Sequence, residues 1–472
     1  MPEILEPHLC VIGAGSGGLS VAAAAAAFGA SVVLIEKGKM GGDCLNYGCV
    51  PSKALLAAAK RADAFRRAAP FGIAAQAPAI DFGKVHAHVH RVIAAIAPND
   101  SAERFTGLGV RVIAGAARFK DTRTVAVGEL EIRAHRFVIA TGSAPAVPPI
   151  PGLDQVEHFT NETIFDLAEC PQRLAVIGGG PIGLELAQAF RRLGAEVVVL
   201  EAASPLAKDD PECAAIVLDQ LEREGVAVRS GAKVLRVEPG SSVRVVLEGP
   251  SGPEAIEASH LLVATGRRAN VEGLDLEAAG IRHEPRGILV GKGLKTSNRR
   301  VYAIGDVVGG LQFTHVSNYH AGLVIRNALF RLPVRASDAA IPWVTYTDPE
   351  LAQVGLTEAE AAKRGGFRVL RWPYHENDRA QTERETRGHI KVVTTRRGRI
   401  LGATIVGAHA GELIAAWSLA VHRRLNIRAF AGLVMPYPTL SEVGKRAAIS
   451  YFTPGLTSPW VRRIIALLRR LG

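Results

Sequence analysis

Two cysteines near the N-terminal end are the residues of this chain best suited to chemistry. Cys44 and Cys49 lie five positions apart in the segment Cys-Leu-Asn-Tyr-Gly-Cys-Val-Pro-Ser-Lys, which ends at Lys53. The glycines around them indicate a helix start, where the helix dipole lowers a thiol pKa and favours the thiolate. A structural disulfide or half of a zinc site is the alternative, but the sequence offers no second close Cys or Cys/His pair to complete four ligands. We therefore predict a redox-active cysteine pair, with the cation of Lys53 one turn further along.

A glycine-rich turn precedes this pair. Gly13, Gly15 and Gly18 follow the apolar segment Leu9 to Ile12 and open an alanine-rich helix, and the next predicted strand ends in Glu36. Glycines at this spacing let a pyrophosphate approach the helix N-terminus, and the acid accepts a hydrogen bond from a ribose hydroxyl. The segment predicts a dinucleotide site.

The same pattern occurs a second time. Gly178, Gly180 and Gly183 follow Leu174 to Ile177, and the second strand of this copy is followed by Glu201. In both copies the acid lies 23 positions after the first glycine. A single glycine pattern is weak evidence, but two copies in a strand-helix-strand context argue against ordinary turns and predict two Rossmann-like domains.

Composition fits a large enzyme. The chain has 472 residues, of which 48% are hydrophobic, and this length predicts three or four lobes of ordinary domain size. Five cysteines are few for this length and favour a reducing compartment. Glu3 and Glu6 stand where a signal peptide would be basic, so we expect a cytoplasmic protein. The net charge is +11, but the basic residues are scattered, so we expect no nucleic-acid partner. We also predict no resident metal site.

Further motifs carry a family resemblance. In order along the chain, they resemble those of the class I pyridine nucleotide-disulfide oxidoreductases, which include dihydrolipoamide dehydrogenase, glutathione reductase and mercuric reductase. The resemblance covers nearly the whole chain. Besides the segments above, it is carried by Ala140-Thr141-Gly142, Ala264-Thr265-Gly266-Arg267, Tyr302-Ala303-Ile304-Gly305-Asp306, Thr347-x-Pro349-Glu350 and Val354-Gly355-Leu356-Thr357-Glu358.

The resemblance implies FAD in the first glycine-rich turn and a nicotinamide cofactor in the second. It makes Cys49 the thiol against the flavin and Cys44 the thiol that meets the acceptor, and it pairs Lys53 with Glu185 beside the flavin. The cofactor-binding residues that it implies are Gly13, Gly15, Gly18, Glu36, Lys53, Thr141, Gly142, Gly178, Gly180, Gly183, Glu201, Gly266, Gly305 and Asp306. The carboxylate of Glu201 favours NADH, while Arg191 and Arg192 nearby leave NADPH open.

We predict an α/β fold with two dinucleotide-binding domains and an α+β C-terminal dimerisation domain. Residues 1–150 and 270–340 form a discontinuous FAD domain, 151–269 the NAD(P) domain, 341–456 the dimerisation domain and 457–472 a basic tail. In the family the C-terminal domain makes a homodimer and completes the partner's active site, so we expect a homodimer with a shared site.

One departure from the family pattern lies near the C-terminus. Disulfide reductases of the family carry His-Pro-Thr followed by an acid, whereas this chain has Tyr437-Pro438-Thr439 and then Glu442. An unperturbed tyrosine pKa is roughly 3.5 units above that of histidine, so Tyr437 is a proton or hydrogen-bond donor but a poor base. This departure disfavours dihydrolipoamide dehydrogenase or glutathione reductase activity.

Tyrosine at this position resembles mercuric reductase, and two thiolates suit a soft metal ion. Mercuric reductases end in a cysteine pair that delivers the metal, but no residue after Cys213 is a cysteine. We therefore predict an NAD(P)H-dependent reductase of a small-molecule, disulfide or soft metal-ion acceptor, with dihydrolipoamide dehydrogenase as one alternative.

The tail supports another alternative. Trp460, Ile464, Leu467, Leu468 and Leu471 fall near one helical face, and four arginines flank it. Such a helix either lies on an anionic membrane surface or packs on the dimer. The membrane interpretation makes the chain a peripheral quinone reductase, whereas a non-catalytic flavin-binding subunit is disfavoured by the complete cofactor motifs.

Overall fold

The structure is a computed structural model that describes residues 3–249, 252–456 and 458–470. The helices are α1 (Ser16–Ala27), α2 (Gly42–Asn46), α3 (Cys49–Arg66), α4 (Phe82–Ile96), α5 (Ala102–Gly107), α6 (Pro181–Arg192), α7 (Pro211–Arg223), α8 (Thr314–Ala328), α9 (Glu358–Arg364), α10 (Asp378–Glu383), α11 (Ala410–His422), α12 (Arg428–Ala431), α13 (Glu442–Ser450), α14 (Thr453–Leu456) and α15 (Pro459–Leu468).

The strands follow the same chain order. They are β1 (Glu3–Leu5), β2 (Leu9–Ile12), β3 (Val32–Glu36), β4 (Val110–Ala114), β5 (Arg118–Phe119), β6 (Val125–Val127), β7 (Leu130–Ile132), β8 (Arg136–Ile139), β9 (Ser143–Pro145), β10 (Arg173–Ile177), β11 (Glu196–Glu201), β12 (Val226–Ser230), β13 (Val234–Glu238), β14 (Val243–Gly249), β15 (Gly252–Ala258), β16 (His260–Val263), β17 (Arg267–Ala269), β18 (His283–Glu284), β19 (Gly287–Ile288), β20 (Val301–Ala303), β21 (Pro342–Thr345), β22 (Glu350–Gly355), β23 (Phe367–Pro373), β24 (His389–Thr395) and β25 (Ile400–Gly407).

The chain divides into two compact units. The first contains residues up to 202 and 232–338, and the second contains 203–231 and the chain from 339 onward. The domain boundaries predicted from the sequence remain a prediction.

A parallel five-stranded sheet organises the first unit, in the order β20-β8-β2-β3-β4. Its strands are buried on both faces: Leu9 and Val11 pack with α1 and α8, while Cys10 and Ile12 face a second apolar cluster. Parallel strands covered on both sides read as continuous apolar runs, which is how β2 and β3 stand out in the sequence. Cys10 is fully buried in β2.

The second glycine-rich segment builds another parallel layer in the same unit. Strand β10 lies between β11 and β16 in parallel register, and the antiparallel strands β13, β14 and β15 pack on them through an apolar cluster. Both strand-helix-strand segments predicted from the sequence are confirmed.

The second unit is α+β, as predicted. Its antiparallel sheet has the order β21-β22-β25-β24-β23, and α7, α11 and α13 pack against it. Within the described ranges, no helix is long and apolar enough to cross a membrane.

Candidate active site

The first glycine-rich turn connects β2 to α1 without room for side chains. Gly13 has a φ of +105°, and a Cβ there would lie 2.4 Å from the Ala140 carbonyl oxygen. A Cβ at Gly18 would lie 1.8 Å from the Gly13 carbonyl oxygen. Gly15 is the N-cap of α1 and has no side chain to cap it, so the first amides of the helix are suited to bind a phosphate.

The second turn repeats this geometry between β10 and α6. Gly178 has a φ of +117°, and a Cβ there would lie 2.4 Å from the Ala264 carbonyl oxygen. At Gly183 the corresponding distance to the Gly178 carbonyl oxygen is 2.0 Å. Two such cradles fit two dinucleotide cofactors.

The two glutamates lie at the ends of their strands and point toward their turns. Glu36 accepts a hydrogen bond from the Ala14 amide at 2.6 Å, and Glu201 accepts one from the Gly179 amide at 2.7 Å. Each carboxylate therefore lies beside a glycine-rich turn, where a ribose hydroxyl would bind.

The cysteine segment is packed against the first turn. The Gly41 amide donates to the Ala14 carbonyl at 3.0 Å, and a Cβ at Gly42 would lie 2.7 Å from the Gly15 Cα. Both glycines have positive φ, which only glycine adopts without strain. Cys44 then lies in α2, and Cys49 is the first residue of α3. The thiols are thus held beside the first glycine-rich turn.

The two thiols differ in acidity. The hydrogen bond from the Cys44 thiol, then contacts with Thr314 and Lys53, lower the pKa of Cys49 to about 6. Its Sγ lies 3.4 Å from the Thr314 Oγ1. The same pairing with Cys49, together with burial, raises the pKa of Cys44. At neutral pH Cys49 is therefore the thiolate and Cys44 the protonated thiol.

Lys53 reaches from α3 to α6. Its Nζ lies 2.7 Å from Glu185, whose side chain is 6% exposed. Further along the same helices, the buried Arg192 lies 3.4 Å from Asp63. Two ion pairs thus join the helix that begins at Cys49 to the helix that follows the second glycine-rich turn.

The remaining predicted cofactor residues lie close to Arg267. Asp306 accepts a hydrogen bond from Ser143 at 2.6 Å, and burial raises the pKa of Asp306. Arg267 donates to Ser143 and lies 3.0 Å from Asp43, next to Cys44. Ser143 and Asp43 are not among the residues predicted from the sequence, because no spacing pattern marks them.

Three of the predicted glycines and one threonine complete this area. Thr141 donates to the Asn270 carbonyl at 2.8 Å. Gly142, Gly266 and Gly305 all have positive φ, and a Cβ at Gly305 would lie 2.5 Å from the Ser317 Oγ. They permit close turns at the carboxyl ends of the strands, where cofactors bind in folds of this type.

A cavity opens on the Cys44 side of the pair. It has a volume of about 330 Å³, and its lining includes Leu19, Cys44, Val50, Phe105 and Thr314. Asp100 and Arg104 supply charge at the same wall. Cys44 thus lines this cavity, while Cys49 is the more exposed of the two thiols.

Tyr437 and Glu442 lie in the second unit. The Tyr437 side chain is 69% exposed, and its hydroxyl donates to the Asp378 carboxylate at 2.7 Å. Glu442 is the first residue of α13 and acts on the phenol through its charge. The sequence pattern did not mark Asp378, which lies 59 positions away along the chain. Among the described residues, no group of three or more acidic, histidine or cysteine side chains is arranged to hold a metal ion.

Two protein-family models together match most of the chain. A family model described as pyridine nucleotide-disulphide oxidoreductase matches residues 7–321, and one described as the dimerisation domain of the same proteins matches 341–448. A mercuric reductase from Streptomyces lividans is 37% identical over 466 residues, covering 95% of this chain and 98% of that protein.

Two further matches show the range of chemistry among similar proteins. A dihydrolipoyl dehydrogenase from Thermus scotoductus is 39% identical over 449 residues, covering 92% of this chain and 95% of that protein. The Cu(II) complex of the HOCl-induced flavoprotein disulfide reductase RclA from Escherichia coli has a TM-score of 0.84 at 29% identity, covering 93% and 98% of the two chains.

Proposed function

The chain belongs to the pyridine nucleotide-disulphide oxidoreductase family, and we propose that its Cys44 and Cys49 pair reduces a soft metal ion or a small disulfide. It is an FAD-dependent NAD(P)H oxidoreductase of the disulfide and metal-ion reductase type.

The residues that would hold the cofactors follow from the two cradles. FAD would be held by the turn at Gly13, Gly15 and Gly18 with Glu36, and the nicotinamide cofactor by the turn at Gly178 with Glu201. When bound, these two cofactors supply the hydride and the electron pair that keep the cysteine pair reduced.

The protein's own contribution begins with the thiolate. Lys53 and Thr314 stabilise negative charge on Cys49, and Cys44 faces the acceptor cavity as a thiol. With a disulfide acceptor, the Cys44 sulfur attacks one acceptor sulfur and forms a mixed disulfide, and the displaced thiolate takes the Cys44 proton and leaves as the first thiol. The Cys49 thiolate then attacks the Cys44 sulfur, which re-forms the Cys44–Cys49 disulfide and displaces a second thiolate that takes a proton from water. With a metal acceptor, the same two sulfurs form a soft ligand pair.

The cavity wall that carries Cys44 is the single observation on which this assignment rests. The experiment is a steady-state screen of the wild type and Cys44→Ser with NADH and Hg(II), Cu(II), lipoamide, glutathione disulfide or a quinone. We expect metal or disulfide reduction that Cys44→Ser abolishes. Acceptor reduction that persists at the wild-type rate in Cys44→Ser would instead favour direct use of the flavin, as in a quinone reductase.

A spectroscopic experiment tests the roles of the two sulfurs. Reduction by NADH should produce a long-wavelength thiolate-to-flavin absorption band that is lost in Cys49→Ser and retained in Cys44→Ser. Equal loss of the band in both variants would mean that the two roles are wrongly assigned.

Tyr437 favours a metal ion over a dithiol as the substrate of the cysteine pair. A phenol that donates to a carboxylate is a poor base for a dithiol. Tyr437→His should therefore raise dihydrolipoamide turnover by at least about tenfold, because a positioned base is typically worth 10² to 10⁴ in rate. A folded, FAD-containing Tyr437→His enzyme without this gain would place the barrier to dithiols in the cavity instead.

The chain forms a homodimer through its dimerisation domain. By the family resemblance, we infer that Tyr437 and Glu442 of one subunit face the cysteine pair of the other. A mixed dimer of Cys44→Ser and Tyr437→Phe subunits tests this, since it contains one site with both changes and one site with neither.

Peripheral membrane contact of this otherwise cytoplasmic enzyme is a second proposal, carried by α15. Trp460, Leu467 and Leu468 are 71%, 61% and 57% exposed, and Arg462 and Arg463 lie on the same helix. An exposed apolar face beside arginines suits an anionic bilayer surface. Leu471, which the sequence placed on this face, and residues 457 and 472 of the predicted tail lie outside the described residues.

Removal of residues 457–472 should abolish co-sedimentation with anionic vesicles and leave FAD content and dimerisation intact. Replacement of Arg462 and Arg463 by glutamine should weaken the binding and reduce its salt dependence. A full-length protein that does not co-sediment at low salt would contradict the membrane contact.

A further inference from the structure

Tyr437 is held by a residue that nothing in the sequence pattern marks. Its hydroxyl donates to Asp378 Oδ2 at 2.7 Å, and Asp378 is the first residue of α10. The tyrosine side chain is largely exposed, so this hydrogen bond determines the direction of its O–H.

The start of α10 is itself fixed to the Tyr437 turn. Asn377 is 3% exposed and is the N-cap of α10, where its Oδ1 accepts from the Ala380 amide at 2.9 Å. Its Nδ2 donates to the Thr439 carbonyl at 3.1 Å, and the Thr439 hydroxyl donates to the Pro436 carbonyl. Asn377 thus sets the distance between the helix start and the turn, and with it the distance between carboxylate and phenol.

We propose that Asp378 is a positioning residue for Tyr437, which it converts from a proton donor into an outward-facing oxygen acceptor. The phenol has one proton, which stays on its oxygen and is donated in the hydrogen bond to Asp378. The two lone pairs of the phenolic oxygen are then the groups available to whatever the turn faces. This inference rests on the proposed function, because Tyr437 must lie at the acceptor site.

The pair also fixes the local charge. A neutral phenol with a carboxylate carries one negative charge, Glu442 adds a second, and Arg446 offsets one of them. Asp378, by its hydrogen bond and its charge, and Glu442 both raise the pKa of Tyr437, while Arg446 lowers it. The phenol is therefore protonated throughout the neutral range, and the three charged groups that act on it, Asp378, Glu442 and Arg446, sum to one negative charge. A cationic acceptor such as a metal ion is favoured by this charge, and an anionic acceptor is disfavoured.

The first test is an ultraviolet titration of tyrosinate in the full-length holoenzyme. The chain has seven tyrosines, so subtraction of the Tyr437→Phe curve from the wild-type curve isolates Tyr437. In Asp378→Asn, which keeps the side-chain shape, the isolated midpoint should fall by roughly one pH unit, and Asp378→Glu should restore most of the shift. Glu383→Gln is the matched control on the same helix and should leave the midpoint unchanged. An unchanged midpoint in Asp378→Asn overturns the proposal.

The second test compares acceptors. Asp378→Asn should lower kcat/KM for Cu(II) by about tenfold, with a smaller effect on a neutral disulfide acceptor. Flavin content and subunit mass confirm that the variant is folded. The inference alone is overturned if Asp378→Asn lowers kcat/KM equally for both acceptors. It is also overturned if Tyr437→Phe changes kcat/KM and Asp378→Asn does not. Acceptor reduction that survives in Cys44→Ser overturns the proposed function itself, so the two failures are distinguishable.

Discussion

The two glycine-rich turns of this protein pack almost identically at their first and third glycines but have different neighbours at the middle glycine. The first and third glycines of each turn are packed against backbone carbonyls at matching distances, and each turn has a strand-end glutamate bonded to its amide. On the outer side, however, Gly15 lies against Gly42 of the cysteine segment, whereas a Cβ at Gly180 would meet nothing within 4 Å.

The different neighbours of the two turns suit them to different uses. The first turn is tied through Gly41 and Gly42 to the helices that carry Cys44 and Cys49, so the turn and the thiols share one support. The second turn is open on its outer side, which suits a cofactor that must enter and leave in every turnover. A local motif determines the shape of the turn, and its tertiary neighbour determines its use.

The largest effect is expected from Gly42→Val. Gly42 has a φ of +59°, and its Cβ would lie 2.7 Å from the Gly15 Cα, so a side chain forces the cysteine segment away from the first turn. We expect loss of FAD and of all turnover, measured as the flavin-to-protein absorbance ratio after purification. Retention of stoichiometric FAD would show that the two segments are not mutually dependent.

A smaller and different effect is expected from Gly180→Ala. Its backbone has ordinary φ and its surroundings are open, so the fold tolerates a methyl group that stands where the cofactor pyrophosphate must approach. The variant should keep its FAD but lose about 10- to 100-fold in kcat/KM for NADH. Loss of FAD in this variant would contradict the proposal that FAD binds at the first turn and the nicotinamide cofactor at the second.

Cofactor preference tests the acid of the second turn. Glu201→Ala should reduce the preference for NADH over NADPH by about tenfold, because a hydrogen bond between the carboxylate and the ribose is lost. Glu196→Ala, at the exposed start of the same strand, is the control. Relative kcat/KM values that do not change would contradict the assignment of Glu201.

The smallest expected effect concerns the thiolate beside the first turn. Because the pKa of Cys49 is lowered to about 6, its thiolate is present above that pH and is lost as the pH falls through it. The thiolate-to-flavin band of the reduced enzyme should titrate with that midpoint. Thr314→Val removes one stabilising contact and should raise the midpoint by less than about one pH unit. A midpoint that stays in place would exclude Thr314 from this role.

Part of the site could be predicted because the relevant contacts are local. Both turns, their terminal glutamates and the helix that begins at Cys49 each lie within a few dozen residues, and the spacing of glycine, acid and cysteine encodes them. The family resemblance extended this to Lys53 and Glu185, which lie 132 positions apart. Thr314, Asp378 and the Ser143–Arg267 contact could not be predicted, since ordinary polar residues in loops and at helix ends show no periodicity.

The amino-acid sequence by itself determined the two dinucleotide turns, the redox character of Cys44 and Cys49 and the absence of histidine at position 437, because each depends on residue type at short range. Only the tertiary structure showed that Thr314 assists Cys44 in lowering the Cys49 pKa, since Thr314 reaches Cys49 from 265 positions away. It also decided that the Tyr437 hydroxyl donates to Asp378. Hydrogen bonds between side chains need atoms within about 3 Å, and only the packing of whole elements brings distant residues that close.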